Sequence, residues 1–134
     1  MKIVVDTNVL ISALMKASSV PALTVQLVCR EHTLLTSSAT ADEIRRVVRK
    51  PNLLRFLDET AFDWIEQILH ASETVAITRT VQACRDPLDD KFLEVAINGH
   101  ADIIISGDND LLSMNNFDGI PIVTPAIFMK AFYR

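Results

Sequence analysis

Lys2-Ile3-Val4-Val5-Asp6-Thr7-Asn8-Val9-Leu10 changes from one pattern to another within a few residues. Ile3-Val4-Val5 is an unbroken β-branched run, the composition of a strand buried on both faces. From Asn8 to Met15 the apolar spacing is that of a helix, and one acid, Asp6, stands at the junction. The pattern then repeats. Leu34-Leu35-Thr36, Thr74 to Ile77, Ile103 to Ile105 and Ile122-Val123 read as four further strands. Between them the spacing predicts a helix begun near Pro21 with Leu23, Leu27 and Val28 as its apolar stripe. Thr40-Ala41-Asp42-Glu43 resembles a capping box opening a helix that carries Ile44, Val47 and Val48 and stops at Pro51. Further helices are expected from about Glu59 to Ser72, from Asp90 to a glycine stop at Gly99, from Asp110 to Met114, and after Pro125. With no repeat and no flexible linker, residues 1–134 form a single domain of the α/β class. The expectation is a three-layer α/β/α fold around a central parallel sheet of about five strands.

Composition narrows the function classes. Hydrophobic residues make up 49% and charged residues 22%, the balance of a globular chain with a sizeable core. No apolar run approaches the roughly 18 residues that span a bilayer, and the chain enters a strand at once without a secretory leader pattern. An intracellular, cytoplasmic protein is the expectation. Cys29 and Cys84 lack CxxC or Cys/His spacing, and His32, His70 and His100 share no spacing, so neither zinc nor a disulfide is favoured.

Four acids sit where apolar runs give way: Asp6, Glu43, Asp90 and Asp108. If the strands are parallel, their C-termini share one sheet edge and the carboxylates converge there. Such a cluster repels itself unless it protonates or holds a hard cation. The net charge is −4, from 17 acidic against 13 basic residues, and setting the four aside leaves 13 against 13. Taken singly, each acid has a structural reading: Asp6 and Asp90 as helix caps, Asp108 and Asp110 as turn formers, Glu43 as a capping or surface charge. Taken together they suit Mg²⁺ or Mn²⁺, which prefer oxygen donors. Such ions lower the pKa of water from about 15.7 towards neutrality, so a nucleophile needs no histidine base. Metal-assisted phosphodiester hydrolysis is the reaction that fits.

The stretches Val4-Val5-Asp6-Thr7-Asn8-Val9-Leu10, Ala41-Asp42-Glu43-Ile44, Asp86-Pro87-Leu88-Asp89-Asp90-Lys91-Phe92-Leu93 and Ser106-Gly107-Asp108-Asn109-Asp110-Leu111-Leu112 resemble, in this order, the motifs of PIN-domain nucleases. The resemblance covers nearly the whole chain and is nearest to bacterial toxin components of toxin–antitoxin pairs. It implies a Mg²⁺- or Mn²⁺-dependent endoribonuclease with Asp6, Glu43, Asp90 and Asp108 as catalytic, metal-holding acids. Asn8, Ser38, Ser106 and Asp110 fall on supporting positions. Among Asp86, Asp89 and Asp90, the third acid is placed at Asp90 because it opens the helix. The resemblance further implies an RNA substrate, a small antitoxin partner, and a homodimer or higher oligomer.

Arg45 and Arg49, and Arg46 and Lys50, are paired four residues apart on the helix of Glu43. They form either a solvated face or a strip contacting RNA phosphates or an acidic partner. The competing class is a catalytically silent PIN-like module that binds RNA or protein. A receiver domain or a haloacid-dehalogenase-type phosphatase fits less well, because each expects a second acid beside Asp6.

Overall fold

The computed structural model describes residues 1–133. Strand β1 (Lys2–Val5) lies at the centre of the sheet, paired in parallel with β2 (Thr33–Thr36) on one side and β4 (Ile103–Ile105) on the other. Beyond them lie β3 (Glu73–Thr74) and β6 (Ile120–Val123), with β5 (Asn116–Phe117) at the far edge, in the order β3-β2-β1-β4-β6-β5. Val4 sits between Leu35 and Ile104 in register.

The β-branched runs are buried on both faces, and alternate residues feed two cores. Ile3, Val5, Leu34, Ile103 and Ile105 face helices α1 (Thr7–Met15), α2 (Val20–Glu31), α3 (Ser38–Val47) and α5 (Glu59–Ala71), with Phe128 of α8 (Pro125–Phe132). Val4, Leu35, Ile104 and Ile122 face α6 (Asp90–Asn98) and α7 (Asn109–Leu112) through Phe92, Leu93, Val95, Ala96 and Leu111. The short helix α4 (Pro51–Leu54) links α3 to α5. No single helix among the described residues is long and apolar enough to cross a membrane.

Several local expectations shift. The capping box on α3 is Ser37 with Thr40 rather than Thr40 with Glu43: Ser37 Oγ accepts from the Thr40 N–H at 3.2 Å and Thr40 Oγ1 from the Ser37 N–H at 2.9 Å. Glu43 therefore lies well inside the helix. Pro51 does more than end α3, because it supplies the preset φ at the start of α4. The third strand is shorter than expected. After the Val75 N–H donates to the Thr36 carbonyl at 2.7 Å, the chain leaves the sheet to be taken up by side chains of α6. A sixth strand, β5, pairs antiparallel with β6 across Asp118-Gly119, both at positive φ. Asp-Gly is the two-residue hairpin signal, and it makes this sheet edge mixed rather than wholly parallel.

Gly99 also acts differently from a left-handed helix stop. Its φ is −94°, and the left-handed residue is His100 at 54°. A Cβ at Gly99 would stand 2.8 Å from both Leu35 Cδ1 and Val75 Cγ2, so glycine is there for close helix–sheet approach.

Candidate metal centre

The chain leaves β1 towards β2 on one side and later fills β4 on the other, so the C-terminal ends of β1 and β4 flank a topological switch point. Two strand ends deliver acids there. Asp6 follows β1 and caps α1, and it is only 3% exposed. Its N–H donates to the Ile105 carbonyl at 2.9 Å, which ties the two strand ends together. Its Oδ1 accepts from the Asn8 N–H at 3.4 Å and its Oδ2 from Ser106 Oγ at 2.8 Å. Ser106, fully buried after β4, in turn accepts from the Asp108 N–H at 2.9 Å. Asp108 caps α7 by accepting from the Asp110 N–H at 3.1 Å. One hydroxyl thus joins the acids of two strands.

The third acid arrives from the loop before α6. Asp86 caps a 3-10 turn, Pro87–Asp89, that ends against α6. Asp89, Asp108 and Asp110 each offer a carboxylate oxygen, and these atoms lie within 4.8 Å of one another. Oxygens on opposite sides of a Mg²⁺ ion stand about 4.2 Å apart at its usual bond length, so this all-oxygen donor set fits a small hard cation.

The electrostatics agree with that fit. Burial pushes the Asp6 carboxyl up, the Ser106 and Asn8 hydrogen bonds oppose this, and the charges of Asp108 and Glu43 add to the rise. Asp89 is pushed up to about 7 by burial, then by its hydrogen bond to Asp108 and the charges of Asp108, Asp6 and Asp86. These are like charges held close, the condition that a cation or a proton relieves.

Asp90 behaves otherwise, and here the structure departs from the sequence expectation. Its Oδ1 accepts from the backbone N–H groups of Ala83 at 3.1 Å and Cys84 at 2.8 Å. Burial acts to raise this carboxyl, but those N–H donors outweigh it and hold it below the ordinary range. Beside it, the Cys84 thiol is pushed up to about 12 by burial and by Asp90. It is Asp89 that turns to Asp108, because the change from 3-10 turn to α-helix falls between the two neighbours.

Glu43 reaches the same sheet edge from α3 but is clamped. Its Oε2 accepts from Thr7 Oγ1 at 2.5 Å and its Oε1 from Lys91 Nζ at 2.5 Å, with the Lys91 and Glu43 side chains only 17% and 15% exposed. Arg85 pairs with Asp110 at 3.5 Å. Two cations therefore flank the acids.

Residues 2–110 match the family model of the PIN domain. The chain belongs to the PIN-domain family. This PIN domain is 33% identical to an uncharacterised protein of Methanocaldococcus jannaschii, over 99% of this chain and 92% of that protein. Its fold resembles that of VapBC2 from Rickettsia felis, solved bound to a DNA fragment from their promoter. The TM-score is 0.61 at 13% identity, covering 92% of this chain and 98% of that one.

The remaining expected residues of this PIN domain divide. Asn8 contributes its backbone N–H while its side chain is exposed, and Ser38 is exposed at the first residue of α3. Ser106 and Asp110 lie within the acid cluster. Arg45 is forked onto Glu66 at 2.8 and 3.1 Å, and Arg49 donates to the Arg45 carbonyl and lies over the Phe62 ring at 5.2 Å. Those two hold α3 to α5; Arg46 and Lys50 remain exposed. Sequence reading weighed Asp89 but preferred Asp90, and it missed Thr7, Lys91 and Arg85. Lys91 carried one signal: a cation in the first turn of a helix opposes the helix dipole and calls for a local partner.

Proposed function

We propose that this PIN domain is a Mg²⁺- or Mn²⁺-dependent endoribonuclease, the toxin component of a toxin–antitoxin pair, with Asp6, Asp89, Asp108 and Asp110 as the acids that hold the ion. The observation that carries the reading is the convergence of Asp89, Asp108 and Asp110 at one sheet edge, beside the buried Asp6. A bound divalent ion would supply Lewis acidity and lower the pKa of the attacking water. Asp6 fixes the geometry through Ser106, which carries its orientation to Asp108. Glu43, neutralised by Lys91, lines the flank of the site and contributes a fixed ion pair. The family membership supports nuclease chemistry. The fold likeness to VapBC2 supports a small protein partner encoded alongside.

The test is cleavage of single-stranded RNA with Mn²⁺ or Mg²⁺, with and without EDTA, for the wild type and for Asp6→Asn, Asp89→Asn and Asp108→Asn. Loss of cleavage in all three, and in EDTA, is expected. Activity that survives EDTA would sink the metal mechanism, and ion binding without cleavage would favour the silent binding module. Growth arrest on expression, relieved by co-expressing the adjacent gene, tests the toxin role separately.

A further inference from the structure

Between β3 and the 3-10 turn, residues 78–84 run alongside α6 in the opposite direction, held by side chains at three successive turns of that helix. Asn98 Oδ1 accepts from the N–H groups of Thr78 at 3.1 Å and Arg79 at 3.0 Å, and its Nδ2 donates to the Arg79 carbonyl at 2.8 Å. Glu94 Oε2 accepts from the Val81 N–H at 3.1 Å. Asp90 Oδ1 takes the N–H groups of Ala83 and Cys84. Asp90, Glu94 and Asn98 are spaced four residues apart, so they share one face of α6 over about 12 Å of its axis. Val81 and Cys84 pack inward on the second core. A connection of this length would otherwise be free to move. Instead the backbone donors of Thr78, Arg79, Val81, Ala83 and Cys84 are satisfied by a ladder of helix side chains.

The strap ends at the acids. Arg85, next along the chain, reaches Asp110, and the Asp86-capped turn that follows presents Asp89 to Asp108. We propose that Glu94 and Asn98, with Asp90, are positioning residues: they fix the strap and thereby set where Asp89 and Arg85 stand in the ion site. This rests on the metal-dependent reading above. Glu94 and Asn98 act one and two helical turns beyond Asp90, so their effect on the ion must pass through the strap.

The experiment compares the wild type with Glu94→Ala, Glu94→Gln and Asn98→Ala. It reads Mn²⁺ affinity by calorimetry, amide hydrogen exchange at Val81, Ala83 and Cys84, and RNA cleavage against Mn²⁺ concentration. Glu94→Ala should weaken Mn²⁺ binding ~10-fold, in the range for lost outer partners of metal ligands. The half-saturating Mn²⁺ for cleavage should rise by the same factor, with the rate at saturating ion close to wild type and exchange faster at all three amides. Glu94→Gln keeps an acceptor for Val81 and should stay within about twofold of wild type in affinity. Asn98→Ala should shift affinity in the same direction by less, and it decides the matter should Glu94→Ala fail to fold. Unchanged Mn²⁺ affinity in both alanine variants despite faster exchange in the strap overturns the proposal while leaving the nuclease reading intact. A wild type that binds no Mn²⁺ sinks both.

Discussion

The carboxylates of Asp89 and Asp108 place oxygens within 4.8 Å of each other, whereas Asp90, the next residue, is bonded to the backbone of Ala83 and Cys84. Adjacent acids thus take different places, one in the acid cluster and one against the scaffold.

Substitution should separate them. Asp89→Asn is expected to weaken Mn²⁺ binding beyond the ~10–100-fold typical of a lost outer partner, because a ligand charge itself is gone. The same variant should melt higher than wild type in EDTA at pH 8, since it removes a repelled charge. Asp90→Ala should instead leave two buried N–H groups unpaired and cost about 1–3 kcal/mol of stability. Calorimetry and thermal melts of both variants check this, and an Asp90→Ala protein that loses more ion affinity than Asp89→Asn would falsify the assignment.

The Glu43–Lys91 pair gives a second test. Lys91→Met strands Glu43 with Thr7 alone beside Asp6. The expected loss is about 2–3 kcal/mol, below the ~3–5 kcal/mol of a fully buried pair because both side chains retain some exposure. Adding Glu43→Gln should recover much of it. A double-mutant cycle by urea unfolding reads the coupling, and strictly additive losses would show that the pair is not coupled.

Gly99→Ala should destabilise by about 1–3 kcal/mol, because the new methyl must displace Leu35 and Val75 in a packed core. His100→Gly should be neutral or stabilising, since His100 is the residue at positive φ. If Gly99 served only as a left-handed stop, the order would reverse.

Asp58, which caps α5, supplies a pH dependence remote from the site. The Thr60 hydroxyl and the Ala61 N–H hold its carboxyl below the ordinary value of 3.8. A carboxyl with a depressed folded pKa stabilises fully above its unfolded value, and that contribution is lost as pH falls through the folded one. Chemical unfolding from pH 7 down to pH 3 should show wild type and Asp58→Ala differing at neutral pH, with the difference narrowing towards the acid end. A constant difference across the range would show that the charge of Asp58 contributes nothing.

Much of the architecture is local and therefore legible in the chain. Buried β-branched runs, Ser19 before Pro21, and Asp6 or Thr124 at helix entrances specify elements without help from distant residues. The Asp118-Gly119 hairpin was equally local, and its dipeptide was there to be read. The strap was not: nothing in the sequence of residues 78–84 announces that their N–H groups will be met by Asp90, Glu94 and Asn98.

At the site the division is the same. The sequence alone determined that acids follow β1 and β4, because those positions are set by where apolar runs stop and helices begin. Parallel pairing then brings them together at the switch point. Only the tertiary structure decided which carboxyl of Asp86-Pro87-Leu88-Asp89-Asp90 joins them. A 3-10 turn meeting an α-helix rotates neighbouring side chains to different faces, and the direction of each depends on the strap that α6 holds. Only packing, likewise, brought Lys91 onto Glu43 and laid Arg45 and Arg49 across the surface onto Glu66 and Phe62 of α5, since those partners lie on other helices. The acids at the strand ends follow from local pattern; their partners follow from contacts between distant segments.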